Sequence, residues 1–149
     1  MKRILFSGQG SFTLLLLFLA TGLFGASINV TNVNDSGPGS LRAAVMSASA
    51  GDKIFFSSST DGNPIVLTSG EIAISQSLSF FGNGSTVTMV SGNTSSRIFN
   101  ISGGASVTIS GMKLMNGSST ANGGALLVTN STLNLNSAEV ANNSATQSG

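Results

Sequence analysis

The chain has 149 residues, a formal net charge of +1 and only 7% charged residues, with 19 glycines and no Cys, His, Trp or Tyr. An imidazole base, a thiol nucleophile, an N/S zinc site and a disulfide framework are therefore excluded, leaving carboxylates, hydroxyls, amides and a few cations. The Lys and Arg residues, at positions 2, 3, 42, 53, 97 and 113, form neither a basic stripe nor an aromatic-interleaved groove, so no nucleic-acid partner is expected.

Residues 1–27 read as a secretory leader. Lys2 and Arg3 precede an apolar region centred on the run Leu14-Leu15-Leu16-Leu17-Phe18-Leu19-Ala20. That run is shorter than the roughly 20 apolar residues a spanning helix requires, which favours export over a retained anchor. Small residues at Gly25 and Ser27 suit cleavage after Ser27, the expected site. Ala20 and Gly22 offer an earlier one after Gly22. Loss of Lys2 and Arg3 leaves four cations against five carboxylates, a net charge of −1. No stable membrane span is expected in the mature chain.

From Ile28 onward Ser, Thr, Asn and Gly surround short runs of Ile, Val, Leu and Phe, a strand-and-turn composition. A first strand is predicted near Ile28 to Val33 and a second at Lys53 to Phe56. Between them, Asn34-Asp35-Ser36-Gly37-Pro38-Gly39 reads as a turn. Leu41, Ala44, Val45 and Ala48 then fall at i, i+3, i+4 and i+7, predicting a short amphipathic helix with Ser40 as N-cap and Gly51 as its stop.

The remainder repeats. Ile72, Phe99 and Leu126 head equivalent strands spaced by 27 and again by 27. Leu78-Ser79-Phe80, Val107-Thr108-Ile109 and Leu133-Asn134-Leu135 follow them, spaced by 29 and then 26. In the last two copies Met112 to Asn116 aligns with Ala138 to Asn142 at an offset of 26. Each unit thus holds about three short strands whose apolar residues alternate with Ser, Thr or Asn. One unit cannot bury its apolar row alone, whereas the next unit stacked about 4.8 Å away buries it and pairs the strand edges. The expected fold is all-β, a parallel β-solenoid with a short N-terminal helix. An antiparallel sandwich is the alternative, but its strands do not recur in triplets at a near-constant period.

The stretch Val30-Thr31-Asn32-Val33-Asn34-Asp35-Ser36-Gly37-Pro38-Gly39-Ser40-Leu41-Arg42-Ala43-Ala44-Val45, with Ala50-Gly51-Asp52-Lys53-Ile54-Phe55-Phe56, resembles the N-terminal cap of secreted bacterial right-handed parallel β-helix proteins of the pectin-lyase-like type. Gly123-Gly124-Ala125-Leu126 is similar to the GGA(I/L/V) motif of chlamydial-type polymorphic outer membrane proteins. Val140-Ala141-Asn142-Asn143 resembles their FxxN motif, with Val140 where Phe is usual and Asn143 as the motif Asn. The resemblance implies a cap at residues 28–60 whose helix closes the solenoid, rungs over 61–149, and an address at the cell surface or outer membrane, or outside the cell. An uncapped end would offer its strand edges to other chains. Family autotransporters carry a C-terminal membrane barrel. Here the sequence given stops at Thr146-Gln147-Ser148-Gly149 as another rung would begin, so either truncation or an open rung covered by a partner is expected.

Enzymes on the β-helix fold cleave polysaccharides with clustered Asp residues, or with Asp-bound calcium and a basic residue. A glycosidase needs two carboxyls roughly 5–9.5 Å apart. Asp35, Asp52 and Asp61 lie in or beside the predicted cap, Glu71 and Glu139 sit on separate rungs, and no two occupy equivalent positions of neighbouring units. Asp35 and Asp52 read as turn or helix-flank carboxylates ahead of calcium ligands. Arg97 and Lys113 read as solvated turn charges, and Phe55, Phe56, Phe80, Phe81 and Phe99 as core fillers. Gly37-Pro38-Gly39 lacks the third Gly of a dinucleotide motif and the Lys of a P-loop. Eight Asn-x-Ser/Thr triplets, beginning at Asn29, Asn34, Asn83, Asn93, Asn100, Asn116, Asn130 and Asn142, follow from composition and read as turns or stacked Asn rows; in a eukaryotic source they would be glycan acceptors. No catalytic, cofactor or metal site is expected. The leading expectation is a non-catalytic structural or adhesive module that meets a host-cell surface, a glycan or another copy through its last rung. The alternative is the N-terminal part of a polysaccharide lyase or glycoside hydrolase.

Overall fold

The computed structural model describes residues 25–147, so the predicted leader lies outside the described residues except for Gly25, Ala26 and Ser27. In chain order, β1 (Ser27–Val30) leads to helix α1 (Leu41–Ser47), β2 (Lys53–Phe56), a 3₁₀ turn at Ser58–Thr60 and β3 (Ile65–Val66). One coil follows with β4 (Ile72–Ile74), β5 (Leu78–Phe81) and β6 (Met89–Ser91). The next has β7 (Phe99–Ile101), β8 (Ser106–Ser110), β9 (Lys113–Met115) and β10 (Ser118–Ser119). The last has β11 (Leu126–Val128), β12 (Thr132–Asn136), β13 (Glu139–Ala141) and β14 (Ser144–Ala145).

Every pairing is parallel and joins equivalent strands of successive coils, which makes a parallel β-solenoid of about five turns. One sheet runs β1-β2-β5-β8-β12, a second β4-β7-β11, a third β3-β6-β9-β13, and β10 pairs with β14. The register joins Ile72 to Phe99 and Phe99 to Leu126, Leu78 to Val107 and Val107 to Leu133, as the repeat spacing predicts. The third register extends further back than the last two copies, through Val90 to Ile65. β1 is itself a rung strand, paired with β2 from Ser27↔Lys53 to Val30↔Phe56.

Alternation in β5 sends Leu78 and Phe80 inward and Ser79 and Phe81 outward. Stacking then lines up Ile28, Ile54, Phe80, Ile109 and Leu135 in one interior row. Ile54, Phe80 and Ile109 are fully buried, and Phe80 meets Phe99 with ring centroids 5.5 Å apart. Leu135, Val128 and Val140, on the last described coil, are 42%, 38% and 46% exposed.

Two expectations are corrected in this core. Phe55 and Phe81 are not core fillers: they stand on the outer face, half-buried and stacked 5.2 Å apart, because adjacent residues of a strand face opposite ways. Phe56, Phe80 and Phe99 are the interior members.

α1 begins as predicted, with Ser40 accepting the Ala43 N–H at 3.2 Å. It ends at Ser47 with an extended Ala48, not at Gly51, whose positive φ serves the turn into β2. Its apolar stripe, Leu41, Ala44 and Val45, joins the same core as the rungs and so closes that end of the solenoid. β1 stops at Val30 rather than Val33 because Thr31 and Asn32 donate their N–H groups to the Gly39 carbonyl, at 2.8 and 3.3 Å, and close the loop before the helix. Among the described residues no helix is long and apolar enough to cross a membrane.

Candidate functional site

The polar groups that the fold gathers lie along one corner of the solenoid, just ahead of the β4-β7-β11 sheet. α1 packs over this corner and aims Arg42 down it. The Arg42 guanidinium donates to Asp35 Oδ1 at 2.7 and 3.3 Å, to the Gly70 carbonyl at 2.7 Å and to the Glu71 carbonyl at 3.0 Å. Asp35 also accepts from the Ser69 N–H at 2.8 Å and the Thr68 hydroxyl at 3.1 Å. Burial by itself would raise the Asp35 pKa. The bonds from Ser69, Arg42 and Thr68 and the Arg42 charge outweigh it and bring the pKa down to about 2.

One coil further on, the Glu71 carboxylate accepts from Arg97 Nη1 and, at 2.8 Å, from Asn100 Nδ2. Arg97 is not the solvated turn charge expected from sequence, since its side chain is only 10% exposed. It also donates through Nε to the Gly123 carbonyl at 2.7 Å, and through Nη2 to the Asn122 carbonyl at 2.7 Å and the Ser119 hydroxyl at 3.1 Å. Glu71 thus joins the two guanidiniums, holding Arg42 through its backbone carbonyl and Arg97 through its carboxylate, and Arg97 carries the ladder on to the carbonyls of the last described coil. Lys113 is paired too, with Nζ 2.8 Å from Glu139 Oε1, its register partner in β13. That pair is exposed enough to contribute at most about 1 kcal/mol.

The resemblance motifs meet where the ladder ends. Gly123 takes a positive φ of 71°, which a side chain would strain, and presents its carbonyl to Arg97. Gly124 is required by close approach: a Cβ there would come 2.2 Å from the Ser144 carbonyl oxygen. Ala125 is buried, and its carbonyl accepts the N–H groups of both Ile98 and Phe99 at 2.9 and 3.1 Å. Leu126 pairs with Phe99 and is half-buried. Asn143 bridges coils, its Oδ1 accepting the Gly117 N–H at 2.6 Å and its Nδ2 donating to the Leu114 carbonyl at 3.1 Å. Val140 stands apart from this group on β13, opposite Leu114.

Gly123, Gly124, Leu126, Asn143, Ser144 and Gln147 line an open cavity of about 560 Å³. Its side chains offer amides, a hydroxyl and apolar surface, which suit neutral hydrogen-bonding groups such as sugar hydroxyls or a peptide backbone. Among the described residues its lining contains no carboxylate or cation.

All five carboxylates have structural partners: Asp35 and Glu71 in the corner ladder, Glu139 on Lys113, Asp61 on Asn83 Nδ2 at 2.8 Å, and Asp52 on the backbone N–H groups of Ala26 and Ser49 at 2.7 and 2.8 Å. Among the described residues no three His, Cys, Asp or Glu side chains gather as a metal site. Sequence reasoning missed the ladder, although a signal was present: Glu71 and Arg97, like Lys113 and Glu139, are opposite charges one coil of 26 residues apart. Compared with protein-family models, with curated proteins and with solved structures, the chain matches none.

Proposed function

We propose that the chain is a non-catalytic module exported to the cell surface or beyond, a rigid solenoid stalk or adhesin similar to the passenger domains of polymorphic outer membrane proteins and built on the pectin-lyase-like β-helix. Its outer rows of short polar side chains are the contact surface for a host-cell surface, a glycan or another copy. The observation that carries this reading is the outer face of the largest sheet, where Lys53, Ser79, Thr108 and Asn134 stand in register as one column on successive strands. Such a column repeats its donors and acceptors at about 4.8 Å, a spacing suited to an extended ligand. Engagement of every carboxylate in holding coils together further supports a structural use of charge over an acid/base one.

The test is attachment of fluorescently labelled full chain to cell monolayers and to glycan-coated surfaces, with parallel incubation on soluble polysaccharides. Saturable attachment that disappears when the protein is unfolded is expected. Release of reducing or unsaturated sugar ends, without attachment, would overturn the reading in favour of an enzyme.

A further inference from the structure

Gly25, Ala26 and Ser27, inside the predicted leader, are built into the fold. Ser27 opens β1 and pairs with Lys53. The Ala26 carbonyl accepts the Lys53 N–H at 2.8 Å, and the Ala26 N–H donates to Asp52 Oδ1 at 2.7 Å. The other Asp52 oxygen accepts from the Ser49 N–H at 2.8 Å, and the residue is only 7% exposed. Gly25 lies against the turn before β2, where a Cβ would come 1.7 Å from the Gly51 carbonyl oxygen. Cleavage after Ser27 would delete the first ladder residue of β1 and strip one of two donors from a buried carboxylate. It would also place a charged terminus on Ile28, in mid-strand opposite Ile54.

We propose that the leader is removed by hydrolysis of the Gly22–Leu23 peptide bond, so that the exported protein begins at Leu23 and keeps the Ala26–Asp52 clamp. The proposal rests on the secretory reading. A membrane-bound leader peptidase of the cell adds one water, leaving Gly22 as the carboxylate end of the leader and Leu23 as the new α-ammonium. Ala20-Thr21-Gly22 supplies small residues at the third and first positions before the cut, the pattern such peptidases accept.

The test is expression of the full chain in a bacterial host with an intact secretion system, followed by intact mass and N-terminal sequencing of the exported protein. Leu23 is the expected first residue. Any other terminus, Ile28 above all, overturns the cleavage assignment while leaving the leader in place. A full-length precursor kept inside the cell overturns both, so the two failures are distinguishable. Gly22→Leu is expected to cut the processing rate roughly tenfold or more by placing a large side chain at the scissile position. Ser27→Leu, on an exposed position of β1, is expected to leave processing unchanged. The reverse pattern, with Gly22→Leu processed and Ser27→Leu blocked, overturns the proposal.

Discussion

Arg97 donates through Nε to the carbonyl of Gly123, 26 positions later, at 2.7 Å, while another of its nitrogens holds the Glu71 carboxylate of the preceding coil. One guanidinium thereby fastens three coils. Arg97→Ala removes a nearly buried cation and leaves Glu71 and two carbonyls short of donors, a loss on the order of 2 kcal/mol. Arg97→Lys keeps the charge but not the fork of donors, and is expected to recover only part of it. Urea unfolding should show both midpoints lowered at constant slope, Ala more than Lys. Equal midpoints for Ala and wild type would remove the ladder from the account of stability.

Acid should weaken the cap end. Asp35 has its pKa lowered from 3.8 to about 2 in the folded chain, so its contribution is complete above pH 3.8 and lost as pH falls toward 2. The shift corresponds to about 2 kcal/mol. Asp35→Asn should be less stable than wild type at pH 6, and the difference should shrink as the pH is lowered through this window. The comparison is read from unfolding midpoints at a series of pH values.

Gly124 and Gly104 separate two reasons for glycine. Gly104 has a φ of 77° and open space where a Cβ would go, so Gly104→Ala is expected to cost about 1 kcal/mol of backbone strain. Gly124→Ala would drive a methyl into the Ser144 carbonyl and push the β14 end of the last described coil away from its beginning, at about 1–3 kcal/mol. Thermal unfolding of both variants should rank Gly124→Ala as the more damaging.

Neighbouring phenylalanines on one strand should behave unlike each other. Phe80 is fully buried against Phe99, and Phe80→Ala should cost about 3–5 kcal/mol. Phe81 stacks on Phe55 at the outer face, and Phe81→Ala should cost about 0.5–1.5 kcal/mol. Similar losses for the two would contradict the alternation assigned to β5.

The coil spacing was readable because strand pairing repeats it: Ile72, Phe99 and Leu126 are hydrogen-bonded neighbours because a rung must bury its apolar row under the next. Ser40 and the Leu41, Ala44, Val45 stripe likewise announced the helix. The outward position of Phe55 and Phe81 was hidden by ranking residues on hydrophobicity ahead of the two-residue alternation. The Arg97 contacts were harder, since three of its acceptors are the Asn122 and Gly123 carbonyls and a serine hydroxyl, whose placement depends on the path of the corner rather than on side-chain type. The approach of Gly123 and Gly124 to Asn143 and Ser144, and the amide bridge from Asn143 to Gly117 and Leu114, were not legible in the sequence, because both depend on where the path of the coil brings its two ends together.

The corner between the β4-β7-β11 sheet and its successor varies in length while the strands on either side stay in register. Three residues separate Ile74 from Leu78, five separate Ile101 from Val107, and four separate Val128 from Leu133. In the longest of these corners Gly103 and Gly104 both take positive φ and turn the surplus chain outward. Peptide added there lengthens the perimeter of one coil without moving any interior side chain, so this edge can carry insertions, tags or new recognition loops while the stack beneath keeps its order.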